Sequence, residues 1–145
     1  MGFQNDPHVI RWRLHLAAAP DKVHEMLATD AGRARFWATS AVETNGVIDW
    51  RWPESSGRFK VIENTPQRFV VEYFGHTTVA FTLASDGGKG TDLTMTERGL
   101  PEEDRVEALA RWVSLLMALK AAVDFGVDLR NRDGRRTWRN GFVDN

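Results

Sequence analysis

Apolar positions in this chain follow two periods, and the change between them lays out the elements. From His8 to Leu16, Ile10, Trp12, Leu14 and Leu16 alternate with Val9, Arg11, Arg13 and His15, which predicts a strand with one drier face. Ala19-Pro20-Asp21 then opens a helix, with proline in the first turn and an acid at the positive end of the dipole. Val23, Met26 and Leu27 give that helix its apolar side. Thr29 or Asp30 caps a second short helix running to about Trp37.

Period two returns after Trp37. Asn45-Gly46 is a strong hairpin signal between Ala41–Thr44 and Val47–Trp52. Pro53 to Gly57 breaks the chain, and Arg58–Glu63, Phe69–Phe74, Thr78–Ala84 and Asp92–Arg98 read as further strands. Their short connections imply antiparallel neighbours. Phe69, Val71 and Tyr73 share a face, as do Val79, Phe81 and Leu83, and Leu93 and Met95 share theirs with Glu97. Helical spacing then takes over. Trp112, Leu116, Leu119 and Val123 form a stripe widened by Ala108, Leu109, Val113 and Leu115, with Val127 beyond. A helix from Pro101 to about Arg130, with Glu102, Glu103 and Asp104 at its positive end, would be about 42 Å long. One strand, two helices, a six-strand meander and one long helix describe an α+β domain. Its curved antiparallel sheet of six to seven strands carries the last helix on the concave face.

Composition narrows the function classes. The 145 residues fit a single domain, with a core over about 8–130 and an extension over 131–145. Cysteine is absent, which excludes disulfides, thiolate catalysis and Cys-ligated metals. Nineteen basic against twenty acidic side chains give a net charge of −1, and such balance argues against a nucleic-acid binder. Met1 to Pro7 reads as free of a basic-then-apolar leader, and no apolar run approaches the roughly 18 residues of a membrane span. A cytoplasmic protein is expected. Six tryptophans and eight phenylalanines are large rigid surfaces that require burial.

The order of elements, with particular residues, resembles the START-like (SRPBCC, helix-grip) superfamily. Within it, the chain is most similar to the branch of the C-terminal domain of the heat-shock-protein ATPase activator. The residues that carry this resemblance are Ala19-Pro20 with Val23, then Trp37, Gly57, Pro66 and Phe69-Val70-Val71-Glu72-Tyr73. They continue with the Gly87–Gly90 turn into Thr91–Thr96, and with Trp112, Leu116, Leu119-Lys120 and Gly126 on the last helix. Arg111 stands where relatives often carry glycine, and the tail from Asn131 extends past their usual end. The resemblance implies a small, largely apolar ligand in a cavity between sheet and final helix, with a chaperone partner or a cyclase- or hydrolase-like reaction as alternatives. It implies a lining of Trp37, Phe59, Tyr73, Phe81, Met95, Trp112, Leu116 and Leu119.

The residues leave several questions open. The helix stripe serves plain core packing as well as it lines a hollow. Glu97 and Arg105 sit on facing apolar surfaces and are expected to pair, either as a polar anchor or as a solvated pair at the helix entrance. Glu97 is also the one nameable acid or base for a reaction. The four histidines lack ligand spacing, and no nucleophile elbow or phosphate-binding loop is present, so neither a metal, a cofactor nor a catalytic motif is expected. The tail, with Arg130, Arg132, Arg135, Arg136 and Arg139 around Trp138 and Phe142, either meets an acidic partner or packs back on the body.

Overall fold

The computed structural model describes residues 4–145, so the reading of Met1 to Pro7 lies outside the described residues for Met1 to Phe3. The elements run β1 (Val9–Leu16), α1 (Pro20–Ala28), α2 (Asp30–Ala34), β2 (Ser40–Thr44) and β3 (Val47–Arg51). They continue with β4 (Ser56–Thr65), β5 (Arg68–Tyr73), β6 (Thr77–Ser85), β7 (Thr91–Arg98) and α3 (Arg105–Phe125). All seven strands form one antiparallel sheet in the order β1-β7-β6-β5-β4-β3-β2.

Local chemistry accounts for most boundaries. Asn45 and Gly46 both take positive φ, 53° and 78°, as a two-residue hairpin of this type requires. Thr29 caps α2 by accepting the Gly32 N–H at 3.0 Å. That helix stops at Ala34 rather than near Trp37: the Arg35 and Phe36 N–H groups close tighter turns onto the Gly32 and Arg33 carbonyls, and the Ala38 N–H also returns to Arg33. α3 is also shorter than its periodicity suggests. Gly126, with φ 66°, ends it in a left-handed cap whose N–H bonds to Ala122. Twenty-one residues make a helix of about 32 Å.

Cross-strand register sets the concave face. Trp12 lies opposite Met95, and Met95 opposite Phe81. Phe69 faces Phe81, and Ile48 faces Phe59. α3 lays Trp112, Leu116 and Leu119 onto this surface, and α1 adds Val23, Met26 and Leu27. Burying each large side chain contributes about 2 kcal/mol. Val113, counted with the stripe from its spacing, faces outward instead, as do Val106 and Met117. Arg33 is fully buried and donates to the Ala41 and Leu27 carbonyls and to Asp30. It thereby holds α2 and the turn carrying Trp37 against β2. Among the described residues, no helix is long and apolar enough to cross a membrane.

Candidate ligand-binding site

One end of the space between sheet and α3 is walled by aromatic rings. Trp37 follows α2, Trp52 follows β3, Tyr73 ends β5, and Trp112 projects from α3. The Trp52 indole N–H donates to the Trp37 carbonyl at 2.8 Å, and the Trp37 N–H donates to the Tyr73 hydroxyl at 3.1 Å. Trp50 stacks on Trp52 with centroids 5.3 Å apart and 3° between the planes. Tyr73 and Trp112 lie 5.6 Å apart, and Phe74 packs against Trp52 at 5.3 Å. These hydrogen bonds fix ring orientation, so the wall is rigid.

Glu97 lies at the base of this wall and is 4% exposed. Its two oxygens accept from the Trp112 indole at 2.9 Å and from the Thr77 hydroxyl at 2.7 Å. Both donors are neutral. Among the described residues, no basic side chain forms an ion pair with Glu97. Burial pushes the Tyr73 phenol well above its ordinary value; the Trp37 bond and the Arg111 charge oppose this and the Glu97 charge adds to it. Tyr73 is therefore neutral at physiological pH.

From this end a half-open groove of about 1080 Å³ runs outward along α3. Its second wall is the C-terminal tail. Arg130 ties the start of the tail to the body through the Ala34 and Ala38 carbonyls, both at 2.8 Å, while it also pairs with Asp128. Trp138 donates to Glu107 at 2.9 Å and lies under the Arg111 guanidinium, 5.0 Å from the ring centroid. Ser114 donates to the Val143 carbonyl. The tail thus packs along α3.

Of the residues named from sequence, Trp37, Tyr73, Glu97 and Trp112 border the groove. Phe81, Met95, Leu116 and Leu119 fill the core beneath it. Phe59 packs on Tyr73 and Phe74 beside the groove, at 5.7 and 5.0 Å. The expected Glu97–Arg105 pair does not form. Arg105 shares the face of Trp112 but precedes it by seven residues, about 10 Å along the axis. It donates instead to the Gln4 and Val9 carbonyls at 3.0 and 3.3 Å, with its Nε buried and unpartnered. It pins the chain ahead of β1 to the start of α3. Trp52, Phe74, Arg111 and Trp138 border the groove without having been singled out for it. The break at Pro53 and the turn at Gly75-His76 were the signals that placed Trp52 and Phe74 at strand ends.

A family model described as Activator of Hsp90 ATPase homolog 1-like protein matches residues 17–124. The Aha1 dimer from Colwellia psychrerythraea superposes with a TM-score of 0.74 at 22% identity, covering 81% of this chain and 97% of that one. A Staphylococcus saprophyticus protein gives 0.71 at 21% identity, covering 84% and 96%. DynU16, from the dynemicin biosynthetic locus, gives 0.70 at 18%, covering 86% of this chain and 49% of its own. At these identities the likeness shows the fold. No curated protein matches in sequence.

Proposed function

The chain belongs to the Activator of Hsp90 ATPase homolog 1-like family, and from that footing we propose that it binds a small, largely apolar molecule in the groove between sheet, α3 and tail, acting in the cytoplasm. One observation carries this reading: a groove of about 1080 Å³ ends on Trp37, Trp52, Tyr73, Phe74 and Trp112. Ligand sites are concave, mostly apolar and supplied with a few placed polar groups. The Tyr73 hydroxyl and the Glu97 carboxylate are such groups here.

Calorimetric titration with tryptophol, a neutral molecule with an apolar bicyclic body, tests the reading. Saturable one-site binding is expected, weakened about fivefold or more by Trp52→Ala and by Phe74→Ala, since a lost aromatic contact is worth roughly 1 kcal/mol or more. Both side chains are partly or largely exposed, so the fold tolerates their removal. Absence of saturable binding, or affinity unchanged in both variants, contradicts the proposal.

A chaperone-facing role is the second reading. It is supported by the family description and by Val106 on α3, which is 80% exposed and outside the groove lining. Binding to an Hsp90-type chaperone that survives Trp112→Ala, yet is lost on deleting residues 131–145, favours this reading over the groove.

A further inference from the structure

Glu97 is a buried carboxylate with no ion-pair partner among the described residues. Its partners, Trp112 and Thr77, are neutral donors, and each fills one acceptor site where an ionised carboxylate offers about four. Burying a charge is costly unless it is paired as well as hydrogen-bonded. The nearby cation is engaged elsewhere: Arg111 lies over Trp138. Arg105, the other candidate, is turned to the Gln4 and Val9 carbonyls.

The groove as a whole carries the same sign. Glu54, Glu97, Asp104, Glu107 and Asp144 border it, against three arginines, of which Arg130 is already paired with Asp128. Aromatic faces add to this field, because the negative face of each ring attracts a cation. Trp37, Tyr73 and Trp112 stand in mutual contact, with centroids 5.6 to 6.2 Å apart. That spacing leaves no room for a bulky quaternary ammonium between the rings, while Glu97 itself borders the groove.

We infer that the ligand of this groove carries a protonated amine that seats against Glu97, with its apolar body lying across Trp37, Tyr73 and Trp112. The amine supplies the missing charge and fills the remaining acceptor sites on Glu97. The inference rests on the reading of the groove as a binding site and adds the charge of what enters it.

Three molecules with one indole body and different heads separate the two claims: tryptamine (cationic), tryptophol (neutral) and indoleacetic acid (anionic). In calorimetric titration of the full chain, tryptamine binds about tenfold or more tighter than tryptophol, the scale of a desolvated charge pair. Indoleacetic acid binds weakest. In Glu97→Gln the advantage of tryptamine over tryptophol falls to about threefold or less. Equal affinities, a preference for the acid, or a tryptamine advantage undiminished in Glu97→Gln overturns the inference. Tryptophol binding without any charge preference leaves the groove reading standing and removes the inference alone. If none of the three binds, the groove reading fails and the inference with it. If Glu97→Gln does not fold, the affinity order in the native chain still decides. The indole N–H resonance of Trp112, which reports on the carboxylate, must then move further with tryptamine than with tryptophol.

Discussion

Trp112 on α3 donates its indole N–H to the buried Glu97 of β7 at 2.9 Å, so the helix and the sheet are joined by a polar bond inside an apolar interface. Trp112→Phe keeps the ring and removes the donor, leaving Glu97 with Thr77 alone. Loss of a bond to a buried charge costs about 1 to 3 kcal/mol. Urea unfolding of the variant, compared with Thr77→Val, measures it. A variant as stable as the parent would mean that water replaces the indole at no cost.

Asp124 makes a second tie, at the far end of α3. Its carboxylate is 2% exposed and accepts the Ala17 and Ala18 N–H groups at 2.9 and 3.0 Å, with Lys120 at 3.3 Å. Burial pushes this carboxyl up, but the two backbone bonds and Lys120 outweigh it and hold it below the ordinary range. A depressed folded value means that the stabilisation is present above the unfolded value of about 3.9 and is lost as pH falls through the folded one. The stability difference between the parent and Asp124→Asn is therefore full at pH 6 and shrinks below about pH 4. A difference independent of pH over that window would show that the charge contributes nothing.

Gly126 isolates a backbone effect. It takes φ 66°, and a Cβ built there would meet nothing within 4 Å. Gly126→Ala therefore destabilises through conformation alone, by about 1 to 2 kcal/mol. Gly126→Asn, whose residue tolerates the left-handed region, costs less. Thermal unfolding of the two variants checks the order, and equal losses would point to a packing role.

Contacts of the tail with α3 are mostly exposed, which makes this wall the looser one. Trp138→Ala frees Glu107 and Arg111 together and costs global stability about 1 kcal/mol or less. Local opening rises more than global stability falls. Trypsin cleavage after Arg132, Arg135, Arg136 or Arg139 is therefore several-fold faster in the variant, with the melting temperature lowered by no more than about 4 °C. Unchanged cleavage would assign the hold to Arg130 and its Ala34 and Ala38 carbonyls.

Local signals made the architecture legible. The Asn45-Gly46 turn, the alternation in β1 and β5 to β7, and the Trp112–Leu116–Leu119 stripe each act over a few residues, and each element they named is present. The site was legible only in part. Glu97 follows from the face it shares with Leu93 and Met95, whereas Trp37, Tyr73 and Trp112 were named as lining through the family resemblance. The Glu97–Arg105 pair failed because helical period fixes which side a residue faces, whereas the reach between elements depends on displacement along the axis. Val113 failed for a related reason: an apolar side chain in a broad stripe does not reveal which edge the sheet covers. The tail has no period at all. Its role as a wall comes from Arg130, Trp138 and Ser114 reaching distant partners, which no local pattern encodes.

The groove itself is tested most directly by a proton–nitrogen correlation titration with tryptophol, because tryptophans report from several places. The indole signals of Trp37, Trp52 and Trp112 and the amide of Gly75, all at the groove, are expected to shift together along one saturable curve. Trp12, on β1 and outside the groove lining, is expected to stay in place. Shifts confined to Trp12, or no saturable shift at any of the four groove signals, would contradict a binding site between sheet, helix and tail.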